Sequence, residues 1–371
     1  MTLLGYRKER PLVLGQHTCI SIAKESGKWK DIAYLKDNEG MLPPSMIVVG
    51  DRRRVLSASK LLTEKLLLHE EMERCLGPGA SGRVNVAIGI YEHNGRPLPL
   101  TILETQMGCS AQDINAWEAL INSREDGYIL GNAHISSGSL NVIRAGTCGG
   151  IIISDDGISQ KDKPIIEIGD LINATASMGD GAVVRQRLGC GNCLDREDML
   201  RFKKLWYLRG HGFTPDDKWP LISSSPNIVA ALAKSSAELG LISHTGANFT
   251  KESLYIENNE GWVKSLRTKY GVLSTEMEHF GLAFLAHELI RFGIEVHQGL
   301  ISCVVGTVPG GSFASPGSKE EAKAKESEQK MLESAMRALW KMAYPESAIA
   351  PKPEPQRTSN GNAFPMIPSV R

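Results

Sequence analysis

Arg144 stands inside an apolar run, Asn141-Val-Ile-Arg-Ala145, directly before Gly146-Thr-Cys-Gly-Gly150. A guanidinium is costly to bury in such a run unless a carboxylate or a bound anion meets it. Glycines that admit backbone N–H groups, together with the Thr147 hydroxyl, would supply an anion with further donors. The segment therefore reads as an anion site, and the alternative is an arginine paired with a structural carboxylate. Gly50-Asp51-Arg52-Arg53-Arg54-Val55 offers a second cluster at the end of the apolar run Ser45-Met-Ile-Val-Val49. A glycine closing a strand lets backbone approach a ligand, and an arginine at the following helix start presents a fork that matches phosphate oxygens. Taken alone, that cluster is equally a solvated arginine-rich turn. A third lies at Glu276-Met277-Glu278, entering the apolar stretch Phe280-Gly-Leu-Ala-Phe-Leu-Ala286. A carboxylate there can accept from vicinal hydroxyls while methionine packs on a sugar face. The plainer reading is acidic residues that complement a helix dipole.

These clusters need elements to hold them. The sequence predicts a buried strand at 45–50, a helix from Val55 to Leu68, and a strand from Arg83 to Tyr91 that returns through Asn94-Gly95 over 98–103. A helix is expected over 110–123, and a short strand over 141–145 broken by the glycine-rich turn at 146–150. Strands and helices go on alternating through 165–168, 171–175, 228–239, 278–292 and 295–305, with a charged helix over 319–342 whose apolar side carries Met331, Leu332, Ala335, Leu339 and Trp340. Such alternation implies a single-domain three-layer α/β/α architecture with a mixed central β-sheet. Residues 1–40 read as an N-terminal extension, 41–344 as the domain, and 345–371 as a disordered tail rich in Pro, Ser and Asn. About 190–218 reads as an insertion, with a surface helix packing Leu205, Trp206 and Leu208.

The chain has 371 residues, with Lys+Arg and Asp+Glu both at 42. That balance argues against a nucleic-acid partner, which selects for basic excess, and requires any anion to be held by a local cluster. The 7 cysteines are scattered, as thiols of a reducing compartment are, and Cys190-Gly-Asn-Cys193 lacks the second pair a structural metal would need. No stretch approaches the ~20 apolar residues of a membrane span, and charges interrupt the first residues too early for a secretory signal. A cytoplasmic protein with no membrane partner is expected.

In this order, Gly50-Asp51-Arg52-Arg53-Arg54-Val55, Ile143-Arg144-Ala145-Gly146-Thr147-Cys148-Gly149 and Glu276-Met277-Glu278 resemble the nucleoside phosphorylase-I family of purine-nucleoside and uridine phosphorylases. The family pattern is Gly-Asp-Pro-x-Arg-Val, Ile-Arg-x-Gly-Thr-x-Gly, and Glu-Met-Glu before a late helix. Glu104-Thr-Gln-Met-Gly108 is similar to the family's strand-to-helix turn, and the resemblance spans residues 45 to 342. It implies a fold of nucleoside phosphorylase-I type and phosphorolysis of a nucleoside to free base and ribose 1-phosphate. Gly50, Arg54, Arg144 and Thr147 match the phosphate positions. Arg83 matches an arginine that reaches a neighbouring subunit's phosphate, with its register shifted by extra residues around 77–82. Glu276, Met277 and Glu278 match the ribose segment, and Glu278 would accept from the 2′- and 3′-hydroxyls as the sugar becomes oxocarbenium-like. Arg144 and Glu278 are thus the expected catalytic pair. The resemblance further implies no metal and no organic cofactor, inorganic phosphate as co-substrate, and a homodimer or trimer of dimers.

Base recognition departs from the family. Hexameric purine-specific members place an Asp after a late strand to protonate the purine, and Thr307 stands at that position. Threonine is no acid at neutral pH, whereas uracil can leave as a delocalised anion, so a uridine-like substrate is favoured. Uridine-specific members read uracil with a Gln and an Arg; here Leu254, Asn258 and Glu260 occupy the matching segment, and ionised Glu260 has no donor to offer. Lys264 or Arg267 could supply one if the loop shifts. Tyr34 is the nearest candidate for the family's histidine on the sugar 5′-hydroxyl. A purine or broad-specificity phosphorylase, a hydrolase using water, and a non-catalytic nucleoside-binding protein of the same fold are the alternatives.

Overall fold

The computed structural model describes residues 28–31, 33–37, 42–76, 84–120, 122–124, 127–129, 139–152, 166–179, 182–190, 196–208, 210–216, 218–252, 260–290, 295–308 and 312–345. The expected extension up to residue 27, Arg83, Leu254, Asn258 and the tail beyond 345 lie outside them.

A 3₁₀ turn, Lys28–Asp31, and α1, Ala33–Asp37, precede the core. β1 (Ser45–Val49) is buried at every position, as a strand covered on both faces must be. Asp51 caps α2 (Arg52–Ser59) by accepting from the Arg54 N–H at 3.1 Å, which satisfies a donor the helix itself leaves orphaned. The predicted helix from Val55 to Leu68 ends sooner than expected. Glu64 takes a φ of 45°, Thr63–Leu67 forms β2, and Leu68–Leu76 forms α3. β2 is an edge strand paired antiparallel with β3 (Val86–His93), and backbone pairing along that edge overrides the local helical period. Asn94 and Gly95 turn the chain with φ of 50° and 69°, the left-handed pair that a two-residue hairpin needs. β4 (Arg96–Glu104) returns, followed by α4 (Cys109–Leu120) and the two short paired strands β5 (Asn122–Arg124) and β6 (Gly127–Ile129).

β7 corrects the expected break at the glycine-rich segment. It runs unbroken over Ser139–Ile151, so Thr147 sits on a strand rather than in a turn. The cause is β13 (Glu295–Val308), which pairs with it in parallel from Ser139 through Ile151. Glycine here serves close packing: a Cβ on Gly150 would lie 2.6 Å from Ile166 Cγ2. The strand expected over 165–168 is a turn among its described residues, with Gly169 at φ 90°. β8 (Leu171–Gly179) follows, then α5 (Ala182–Arg187), α6 (Arg196–Leu208), β9 (Gly212–Phe213) and β10 (Pro220–Ser223). The chain continues through α7 (Pro226–Glu238), β11 (Ser243–Thr250), α8 (Glu260–Tyr270), β12 (Val272–Glu276) and α9 (His279–Ile290). β13 leads to β14 (Ser312–Phe313) and to α10 (Lys319–Ala343), which Ser318 caps.

Among the described residues the main sheet has 12 strands in the order β14-β13-β8-β11-β12-β7-β1-β4-β3-β2, with β10 attached to β8 and β9 to β10. An additional β13–β7 pairing closes β7, β13, β8, β11 and β12 into a ring, from which β1, β4, β3 and β2 extend as an arm. Alternation along β1 builds the three layers. Met46 and Val48 pack with Leu282, Leu285 and Leu289 of α9, whereas Ile47 and Val49 pack with Val55 of α2, Ile228 of α7 and Leu339 of α10. The chain is thus a mixed α/β protein with helices on both faces of a large mixed sheet. In the expected insertion, Phe202 and Trp206 are fully buried against Phe280 and Phe284 of α9, while Leu208 is 74% exposed. The inward stripe is therefore Phe202, Leu205 and Trp206, at helical i, i+3, i+4 spacing.

Candidate functional site

Parallel pairing of β1 with β7 sets Val48 beside Arg144 and Val49 beside Ala145. Where β1 ends, Gly50 exposes the space above its backbone. A Cβ there would lie 3.2 Å from Arg144 Nη2 and 3.4 Å from Arg54 Nη1. Two guanidiniums from positions far apart in the chain thus converge on one point at the carboxyl end of parallel strands, where open α/β sheets place ligands. Arg54 Nη2 also donates to Thr147 Oγ1 at 3.3 Å.

Both arginines also meet carboxylates. Arg144 Nη2 lies 2.9 Å from Glu278 Oε2, with both side chains buried, and its Nη1 donates to the carbonyls of Ala145 at 2.9 Å and Val48 at 3.4 Å. Arg54 Nη1 lies 3.1 Å from Asp51 Oδ2, and its Nε donates to Glu328 of α10. A guanidinium has five N–H donors, so each arginine keeps capacity. Among the described residues the buried Arg144 Nε has no hydrogen-bond partner, and Arg144 Nη2 and Arg54 Nη1 each spend one N–H on a carboxylate and keep a second.

The β12–α9 junction brings the acidic segment to the same place. Glu276 is saturated by the protein itself. Its Oε2 accepts from the backbone N–H groups of Glu278 and His279, both at 2.8 Å, and its Oε1 from Asn248 at 2.9 Å and from the Thr250 hydroxyl. This is the helix-capping alternative, and it corrects the expectation that Glu276 offers oxygens to ribose. Burial, helped by the Glu278 charge, pushes its pKa up to about 7. Glu278 behaves differently. Burial opposes its charge, but the Arg144 guanidinium outweighs that and holds the carboxyl below its usual range. Its Oε1 accepts from the Gly108 N–H at 3.2 Å and retains a second lone pair for a hydroxyl. The 105–108 turn is pinned for this contact: Asn115 donates to the Thr105 carbonyl at 3.0 Å, and Gln106 and Gly108 adopt φ of 63° and 90°.

One cavity of about 670 Å³ unites these groups. Gly50, Arg54, Arg144, Thr147, Met277, Glu278 and Thr307 all line it, and so does Glu276. The volume suits a small organic ligand. Its charged wall comprises Arg53, Arg54, Arg144 and Lys251 against Asp51, Glu276 and Glu278, so cations outnumber acids. Glu260 begins α8, and neither Lys264 nor Arg267 lines the cavity. Tyr34 packs against the core beneath β1 and is likewise not part of the cavity wall. Among the described residues no cluster of His, Cys, Asp or Glu could hold a metal, and no helix is long and apolar enough to cross a membrane.

Glu328, Lys251, Met107 and Phe313 border the site without having been expected there. Glu328 carries no local signal, since α10 meets Arg54 only through tertiary packing. Lys251 carries none either, since it follows Ala247-Asn-Phe-Thr250 at the start of the polar stretch Lys251-Glu-Ser253, where a lysine is ordinary.

No protein-family model and no curated protein matches the sequence. Solved structures do match in fold. A uridine phosphorylase from Vibrio fischeri ES114 aligns with a TM-score of 0.52 at 17% identity, covering 81% of this chain and 92% of that one. A Trypanosoma brucei nucleoside phosphorylase described as showing uridine phosphorylase activity aligns with a TM-score of 0.55 at 16% identity, covering 81% and 94%. The chain has the fold of these proteins.

Proposed function

We propose that this chain, built on the nucleoside phosphorylase fold, is a nucleoside phosphorylase: it cleaves a nucleoside with inorganic phosphate, and a uridine-like substrate is favoured. The observation that carries the reading is the convergence of Arg54 and Arg144 above Gly50, beside Glu278. Water as the nucleophile would need no paired guanidiniums and no threonine hydroxyl at that point. In this reading phosphate occupies the space over Gly50 and draws on the remaining donors of both arginines and on Thr147. Glu278 receives the 2′- and 3′-hydroxyls, and Met277, half-buried on the cavity wall, covers a sugar face. Phosphate attacks C1′, the bond to the base breaks, and the bond pair leaves with the base. The charge that builds on the sugar faces Glu278, whose ionised form Arg144 sustains. Arg83 and the segment holding Leu254 and Asn258 complete the site as the resemblance implies, in an assembly of at least two copies. The reading requires neither metal nor organic cofactor.

Uridine incubated with the protein should yield uracil and ribose 1-phosphate only when phosphate is supplied. Equal consumption in phosphate-free buffer, followed by chromatography of the products, would overturn phosphorolysis in favour of hydrolysis.

A further inference from the structure

Resting on the phosphorylase reading, we infer that Glu328 is a positioning residue for phosphate: acting through Arg54, it fixes the direction in which that guanidinium faces the anion. Three contacts from three elements decide where the Arg54 guanidinium lies. Asp51, at the β1–α2 junction, meets Nη1 at 3.1 Å, Thr147 on β7 accepts from Nη2 at 3.3 Å, and Glu328 on α10 accepts from Nε. A guanidinium is planar, so its N–H groups cannot be aimed independently. Holding Nε therefore helps to set the plane of the whole fork, and a second N–H on each Nη is left for a ligand. Nη1 faces the space above Gly50, where a Cβ would lie 3.4 Å from it. Asp51 and Thr147 line the catalytic cavity themselves, whereas Glu328 does not.

Glu328 faces a different space. A second cavity of about 690 Å³ lies between α2, α10 and Phe313 of β14; Arg54 lines both cavities, and Glu328 lines the second. Glu321 and Glu326 border that second cavity as well. An Arg54 released from Glu328 would therefore find carboxylates and water on that side and turn away from the anion. An arginine loses much rotamer freedom when it is held in one geometry. A partner that holds it before the anion arrives removes that cost from the binding step. Glu328 is built for this, because the turn of α10 that follows buries Met331, Leu332 and Ala335 in the core. The carboxylate thus projects from a rigid support rather than from a loop. Charge alone has the opposite sign: a carboxylate beside Arg54 offsets part of the positive charge that attracts phosphate. Removing Glu328 should weaken phosphate binding if it positions Arg54, and strengthen it if it only compensates charge.

The test compares steady-state kinetics of wild-type protein, Glu328→Leu and Glu328→Gln, with circular dichroism confirming that all are folded. Leucine suits the helix but offers no acceptor, whereas glutamine keeps an acceptor oxygen at the same reach and loses the charge. In Glu328→Leu the phosphate KM should rise about tenfold, equivalent to roughly one charge-assisted hydrogen bond. The uridine KM should stay unchanged, and kcat at saturating phosphate should stay within about threefold, as when binding weakens equally in ground and transition states. Glu328→Gln should return the phosphate KM to within about threefold of wild type, because the Arg54 Nε regains its acceptor. Glu328→Ala carries the same expectation as leucine where the larger side chain disturbs packing. A phosphate KM that is unchanged or lower without the acceptor, or one that rises equally in the glutamine variant, would overturn the assignment while leaving phosphorolysis standing. Wild-type protein that shows no phosphate-dependent cleavage of uridine or inosine would overturn both together.

Discussion

Arg144 and Glu278 form a buried ion pair, and a buried pair by itself is weak evidence of stabilisation, because desolvating both charges offsets most of their attraction. Its value here is positional. The guanidinium keeps Glu278 ionised inside a cavity wall where burial alone would neutralise it. Glu276, two residues earlier, differs: burial and the neighbouring Glu278 charge raise its pKa against the pull of Arg144, and its oxygens are taken by the backbone N–H groups of Glu278 and His279 and by Asn248 and Thr250. Neighbouring acids in one short segment thus divide into a structural and a chemical role. Glu278→Gln should therefore cut turnover of uridine at least tenfold, for the loss of charge-assisted contacts worth about 1.5–3 kcal/mol each. Turnover of 2′-deoxyuridine should fall less, and parallel steady-state assays read the ratio. Equal losses on the two substrates would remove the 2′-hydroxyl from the account.

At the scale of elements, the site is assembled by strand ends. β1 stops at Gly50 and hands the chain to α2, whose first turn carries Arg54, while β7 supplies Arg144 and Thr147 alongside. Because a Gly50 Cβ would fall between the two guanidiniums, Gly50→Ala places a methyl group where the anion is proposed to sit. Its phosphate KM should rise on the order of tenfold, equivalent to about one charge-assisted hydrogen bond, with the uridine KM and circular dichroism little changed. A variant with unaltered phosphate dependence would move the anion elsewhere. Glycine elsewhere along β7 has a different job, since Gly146 and Gly150 admit the Arg144 guanidinium and the Ile166 side chain to van der Waals distance. That close packing is why the segment holds as strand despite its turn-like composition.

For the whole molecule, closure of the ring through the β13–β7 pairing makes the site depend on global folding. Arg54 is steadied by Glu328 from the last helix, and Thr307 comes from the last long strand, so residues separated by most of the chain share one cavity. Anything that binds this assembled state and not the unfolded chain must stabilise it, by about 2.7 kcal/mol at a hundredfold excess over Kd. Phosphate should accordingly raise Tm in a thermal melt, relative to potassium chloride at equal ionic strength. Arg144→Lys keeps a cation beside Glu278 but loses the planar fork, and should melt at the same temperature with or without phosphate. A phosphate-induced rise that survives the substitution would mean that the anion binds elsewhere.

Much of this was legible in the chain itself. The apolar run at 45–49, the Asn94-Gly95 hairpin, the amphipathic α10 and the arginine stranded in an apolar strand are local patterns, and local sterics and burial costs are enough to interpret them. What tertiary structure alone decided were the facts that depend on distant partners. The 146–150 segment is a strand because β13 lies along it, and 63–67 is a strand because β3 does. Glu276 caps a helix because Asn248 and Thr250 arrive from β11 to occupy its other oxygen. Lys251 faces the cavity because β12 holds its backbone in place. Pattern specifies which face an element buries; only the folded chain specifies which neighbour that face meets, and with it the charge and hydrogen bonding of each side chain.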